Sequence, residues 1–199
     1  MAQKEKGQKL MKKRNNSLGM KFLIGILFVS GVVLVSYSTI CNIYNNLVNS
    51  RAQTRYAKTV ERNSEEKNNK IWNSAVSYNH EHTNNVIVDA FEGKHNQANT
   101  ANYAYDEVLN PDGTGMMGYI EIPSINVRLS VYHGISEKTL EQGVGHLTGT
   151  SLPVGGKGTH CVLAAHRGLP SARLFTDLDE LKKGYHFYLH VLDRTLAYK

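Results

Sequence analysis

His166 closes the apolar run 161–165 and stands directly before Arg-Gly-Leu-Pro. An imidazole can take up or release a proton near neutral pH, and the turn imposed by Gly168 and Pro170 leaves this one at the rim of any sheet the run enters. Strand rims are where rigid scaffolds present catalytic groups, and a structural hydrogen bond is the competing use of the ring. A thiol is a natural partner for such a histidine, and the chain has two, Cys41 and Cys161. If 159–166 is a strand, alternation sends His160, Val162, Ala164 and His166 one way and Cys161 the other. Cys161 therefore reads as a small packing residue and not as a nucleophile.

The remaining histidines, of nine in all, do not assemble a metal site by spacing. There is no His-Glu-x-x-His and no cysteine pair at zinc spacing; His80 and His82 flank a glutamate in a polar stretch, and His186 and His190 share an apparent strand. Neither a metal nor a cofactor is expected. Arg167 reads as a turn-surface residue and Arg173 as a helix-surface residue. A disulfide between Cys41 and Cys161 is not excluded, but two cysteines make no disulfide framework, and both read as unpaired.

From 115 onward, short β-branched or alternating runs are separated by Gly, Pro and Asn, as in GYIEIPSINVRLSVYHG and GYHFYLHVLDRTLAYK. This texture predicts a mostly β domain, a sandwich or barrel, over 115–199. One helix interrupts it at ARLFTDLDELKKG, where Leu174, Leu178 and Leu181 share a face and Gly184 supplies the stop. Upstream, 42–79 is polar with Tyr44, Leu47, Tyr56, Val60 and Ile71 at loosely helical intervals, which predicts a helical stalk; its charge run 62–70 reads as a solvated face. Residues 80–114 lack periodicity except for the apolar island VIVDAF, 86–91, which composition alone makes a linker.

The element that places all of this is 22–40, an uncharged stretch long enough to cross a membrane. Seven of the 23 Lys and Arg precede or open it, against one of the 17 acids, so a cytoplasmic basic tail (1–21), a single transmembrane anchor and an extracytoplasmic remainder are expected. The remainder is formally neutral, so the net charge of +6 reports orientation and not a nucleic-acid surface. A cleaved signal peptide is the alternative, but the apolar run exceeds the usual length and no clean cleavage site follows.

The run YIEIPSINVRLSVYHG, then GH-x-TGTSLPVGG and HRGLPSA-x-LF, resembles the amino-terminal half of the catalytic domain of class C sortases, the pilus-building transpeptidases of Gram-positive bacteria. The likeness is dense over 117–199, and the Tyr78-Asn79 pair in the helical lead-in fits it. It implies a closed eight-stranded β-barrel. In its cleft a cysteine thiolate attacks the Thr–Gly bond of an LPXTG-type sorting signal on pilin or surface proteins at the cell wall, and an amine of another pilin resolves the thioester. It implies that His166 is the acid/base partner. The family's lid carries Asp-Pro-Phe or Asp-Pro-Trp, and Asp89-Ala90-Phe91 occupies the matching place; alanine for proline removes a stiffener.

The family's nucleophile in a TLxTC strand end, and its later arginine, have no counterpart among these 199 residues. A barrel without those strands is expected to stay open, and the chain to be marginally stable and inactive. Two readings follow: a fragment of a membrane-anchored cysteine transpeptidase, which the sequence favours, or a folded, non-enzymatic membrane protein that binds sorting signals or a partner.

Overall fold

The uncharged segment 22–40 lies within α1 (Ala2–Arg62), the one helix among the described residues long and apolar enough to cross a membrane. The computed structural model describes residues 2–82, 105–169 and 171–199, with side chains over 19–81, 105–169 and 171–199. Two units are distinguishable, Met1–Cys41 and Asn42–Lys199. In the first, Phe22, Leu27, Phe28 and Leu34 are exposed, as suits an apolar surrounding.

In the second unit α1 ends where Asn63 and Ser64 interrupt it, and α2 (Glu65–His82) starts afresh. Ser64 Oγ accepts from the Lys67 N–H at 3.2 Å, and Glu65 and Glu66 place negative charge at the helix start, where the backbone dipole favours it. Tyr56, Val60, Trp72, Ala75 and Tyr78 are buried in the same core as the strand residues, so the predicted helices form a layer of the domain. The run 62–70 is mostly exposed as expected, except that Asn68 is buried and donates to the Val60 carbonyl at 3.0 Å, tying α2 to α1.

Alternation over 116–133 yields β1 (Met116–Ile122) and β2 (Val127–His133), antiparallel, with Ile120 opposite Leu129 and Ile122 opposite Val127. Pro123, with its fixed φ, opens a 3-10 turn, Pro123–Ile125; Asn126 closes it in the left-handed region, its N–H donating to the Pro123 carbonyl at 3.1 Å. A short crossover through α3 (Glu137–Gln142), capped by Ser136 Oγ on the Thr139 N–H, brings β3 (Val144–His146) parallel to β2. Here a Cβ on Gly145 would lie 2.4 Å from the Gly134 carbonyl oxygen, so the close approach requires glycine.

Antiparallel to β3 runs β4 (Leu163–Ala164), and the hairpin of β5 (Phe187–Val191) and β6 (Arg194–Tyr198) adds to β1 on the other side. The resulting open six-stranded sheet has the order β4-β3-β2-β1-β5-β6. The hairpin turn puts Leu192 at φ 54°, a conformation a leucine adopts at a cost. Tyr56 holds it there: the hydroxyl accepts from the Leu192 N–H and donates to the Met117 carbonyl, both at 2.8 Å.

Two expectations need correction. The helix expected over 172–184 is only a 3-10 turn, Leu178–Glu180. Leu174 sits at φ 31°, Leu174 and Phe175 are buried while Leu178 is exposed, and the backbone bonds back to the His166 loop, so tertiary contacts override the leucine spacing. The strand expected over 159–166 is regular only at β4. Before it, bonds from Ser151 N–H to the His160 carbonyl and from Leu147 N–H to the Val162 carbonyl hold the chain against 147–151 without a ladder.

Candidate active site

His166 follows β4 by two residues, half-buried, and its ring has no hydrogen-bond partner among the described residues. Its backbone, by contrast, is fixed. The His166 carbonyl accepts from the Phe175 N–H at 3.2 Å, and the Gly168 N–H donates to Thr176 Oγ1 at 3.1 Å. Gly168 turns the chain at φ +76°, and Asn45 Nδ2 of α1 donates to the Ser171 carbonyl. Arg167 pairs with Asp179 at 2.6 Å and Arg173 with Asp177 at 2.7 Å, both arginines on the surface as predicted. The arrangement is a histidine on a pinned loop whose ring is unengaged among the described residues, which is compatible with proton transfer to a bound substrate.

Beside β4 lies a second, buried histidine that spacing alone did not single out. Nε2 of His146 is 2.9 Å from the Ser151 carbonyl, which can only accept, so Nε2 carries the proton. Nδ1 is left to accept from the Tyr105 hydroxyl at 2.8 Å, and that oxygen accepts from the Gly134 N–H at 3.1 Å. Burial pushes the His146 pKa down to about 4, so the ring is neutral and structural. Thr150 Oγ1 donates to the Leu147 carbonyl and accepts from the Val162 N–H, and Asn79 clasps Leu152 through both its carbonyl and its N–H. His133 faces carbonyls at both nitrogens, Gly115 at 2.9 Å and Val108 at 2.8 Å, and the Tyr105 ring packs edge-on against it. The stretch GH-x-TGTSLPV is thus a polar knot that fixes the approach to β4. Its histidine and threonine are in the motif, but the histidine's partner Tyr105 lies 41 residues from His146 and left no local signal.

Cys161 is half-buried, and burial pushes its thiol up to about 12, so the nucleophilic thiolate is scarce at neutral pH. Cys41 and Cys161 are both free thiols. Asp89 and Phe91, expected in a lid, lie outside the described residues. Among the described residues no group of three or more His, Cys, Asp or Glu is placed to hold a metal ion.

Comparison with known proteins bears on this geometry. The family described as "Sortase domain" matches residues 120–199. Sortase C1 of Streptococcus agalactiae is 42% identical, with 75% of this chain and 74% of that one covered and a TM-score of 0.63. A sortase C of Streptococcus pneumoniae is 39% identical over 75% and 72%, TM-score 0.63. Sortase A of Corynebacterium diphtheriae is 33% identical over 75% and 73%, TM-score 0.62. No curated protein matches the chain significantly.

Proposed function

The chain belongs to the sortase family, and on that premise we propose that it serves as a class C sortase, a membrane-anchored cysteine transpeptidase that cleaves LPXTG-type sorting signals and joins pilin subunits. The observation that carries the reading is His166 on its pinned loop at the end of β4 with an unengaged ring. In this reaction a thiolate adds to the Thr carbonyl and the Thr–Gly bond breaks. The His166 imidazolium gives its proton to the leaving glycine amine, and the thioester is resolved by the amine of another subunit. Cys161 is not that thiolate, because burial keeps it protonated. The nucleophile and the oxyanion-stabilising arginine are assigned to the family's TLxTC segment and beyond, outside these 199 residues. The basic tail supports an amino terminus in the cytoplasm and a sheet outside, with 22–40 as a membrane anchor. Asp89 and Phe91 are proposed, on sequence alone, as a lid that occupies the cleft in place of substrate.

The test is cleavage of a fluorogenic LPXTG peptide. The 199-residue chain is expected to give no turnover, and a version extended through the TLxTC strand and the following arginine to give turnover. In the extended version His166→Ala should abolish cleavage, Cys161→Ala should leave it unchanged, and Asp89→Ala should raise it. Turnover by the 199 residues alone that is lost with Cys161→Ala would overturn the assignment.

A further inference from the structure

Just past the apolar segment, α1 has two unlike faces. One face engages the domain: Asn45 Nδ2 donates to the Ser171 carbonyl, Asn49 Nδ2 donates to the Gln142 carbonyl at 3.1 Å, and Asn49 Oδ1 accepts from the Ser130 N–H at 3.0 Å. The other carries Ile43, Tyr44, Leu47 and Val48, all exposed, with Tyr44 at 66% and Leu47 at 54%. Elsewhere in the unit Asn42–Lys199 the only large apolar side chains so exposed, among the described residues, are Leu178 and Tyr185. Apolar exposure is therefore concentrated on this one face. Arg51, exposed and one turn beyond Leu47, follows it.

We propose that Ile43, Tyr44, Leu47 and Val48 are a lipid-contact face that holds the loop after His166 at the level of the phospholipid headgroups. The inference rests on the reading of 22–40 as a membrane span. Connectivity alone then limits the height of these residues: Asn45 is five residues past Ile40, which is about 7 Å in a helix and at most about 17 Å fully extended. The headgroup layer on each side of the hydrocarbon is of the order of 5–8 Å. Tyr44 thus falls where aromatic side chains anchor at the membrane–water boundary, and Arg51 where it meets anionic headgroups. Because Asn45 grips Ser171, the loop that carries His166 shares that level. Leu192 is gripped by Tyr56, eleven residues and about 16 Å further along the same helix.

The full chain, with Cys41→Ser and Cys161→Ser, is reconstituted in vesicles of phosphatidylcholine and phosphatidylglycerol. Single cysteines carrying an environment-sensitive fluorophore are introduced by V32C, Y44C, L47C, R173C and D193C. Labels at 44, 47 and 173 are expected to lose emission to a headgroup-attached quencher, and the label at 193 to respond only to aqueous iodide. If the label at 32 is quenched by acyl-chain spin labels while those at 44 and 47 respond only to iodide, the span stands and the proposal falls. Iodide quenching at 32 as well would remove both. Shielding at 44 and 47 that disappears when the protein is diluted in lipid would assign the face to a second copy of the chain and overturn the proposal.

Discussion

Two histidines, one at the end of β3 and one just past β4, have opposite fates because their rings meet different surroundings. His166 has no hydrogen-bond partner for its ring among the described residues; His146 has both nitrogens engaged and no exposure. For His146 the consequence is measurable as stability against pH. The unfolded chain takes up this proton at the ordinary value of 6.5 and the folded one only near 4, so between those limits acid favours unfolding. Stability is full above pH 6.5, falls as pH drops through the window to about 4, and levels below it, with a loss of the order of 3 kcal/mol. Thermal denaturation across this range is expected to show that slope, and His146→Gln to flatten it while lowering the plateau. The sequence singles out His166, which follows β4 by two residues, but not His146 or Tyr105. The tautomer and neutrality of His146 could not be read from it, because they depend on Tyr105 and on Ser151's carbonyl direction.

At the scale of elements, turn chemistry was legible and contextual structure was not. Pro and Asn separate the short runs of the sequence, and Pro123 with its fixed φ and Asn126, which tolerates the left-handed region, make the β1–β2 connection. The leucines at 174, 178 and 181 announced a helix that is absent, because Phe175 N–H and Thr176 Oγ1 are committed to the His166 loop. The helices that looked like a stalk are held by side-chain clasps on strand backbone, and Tyr56 is the one that spans most. Removing its hydroxyl strands a buried N–H at Leu192 and a buried carbonyl at Met117. Tyr56→Phe should therefore cost about 2 kcal/mol in chemical denaturation, well above the usual effect of deleting one exposed hydroxyl. An unchanged midpoint would show that water replaces the clasp.

In the sheet of the second unit the four inner strands, β3, β2, β1 and β5, are paired on both sides. β1 lies between β2 and β5, whereas β4 and β6 each have one neighbour among the described residues. Amide exchange is expected to separate them, with β1 N–H groups among the slowest and the outward N–H groups of β6 among the fastest; uniform protection across β6 would mean that its outer edge is covered. The sheet is six-stranded and open, where the resemblance implied a closed eight-stranded barrel and the absence of the family's later segments an unclosed one; neither strand order nor the parallel β2–β3 step could be read from the alternation of residues. The Tyr56 clasp also sets a schedule. Its donor at Leu192 is made 136 residues later, which at typical synthesis rates of about 5–20 residues per second is a wait of roughly 7–27 seconds. Through that interval the inner face of the helix around Tyr56 lacks its partner at Leu192, which arrives with the β5–β6 hairpin.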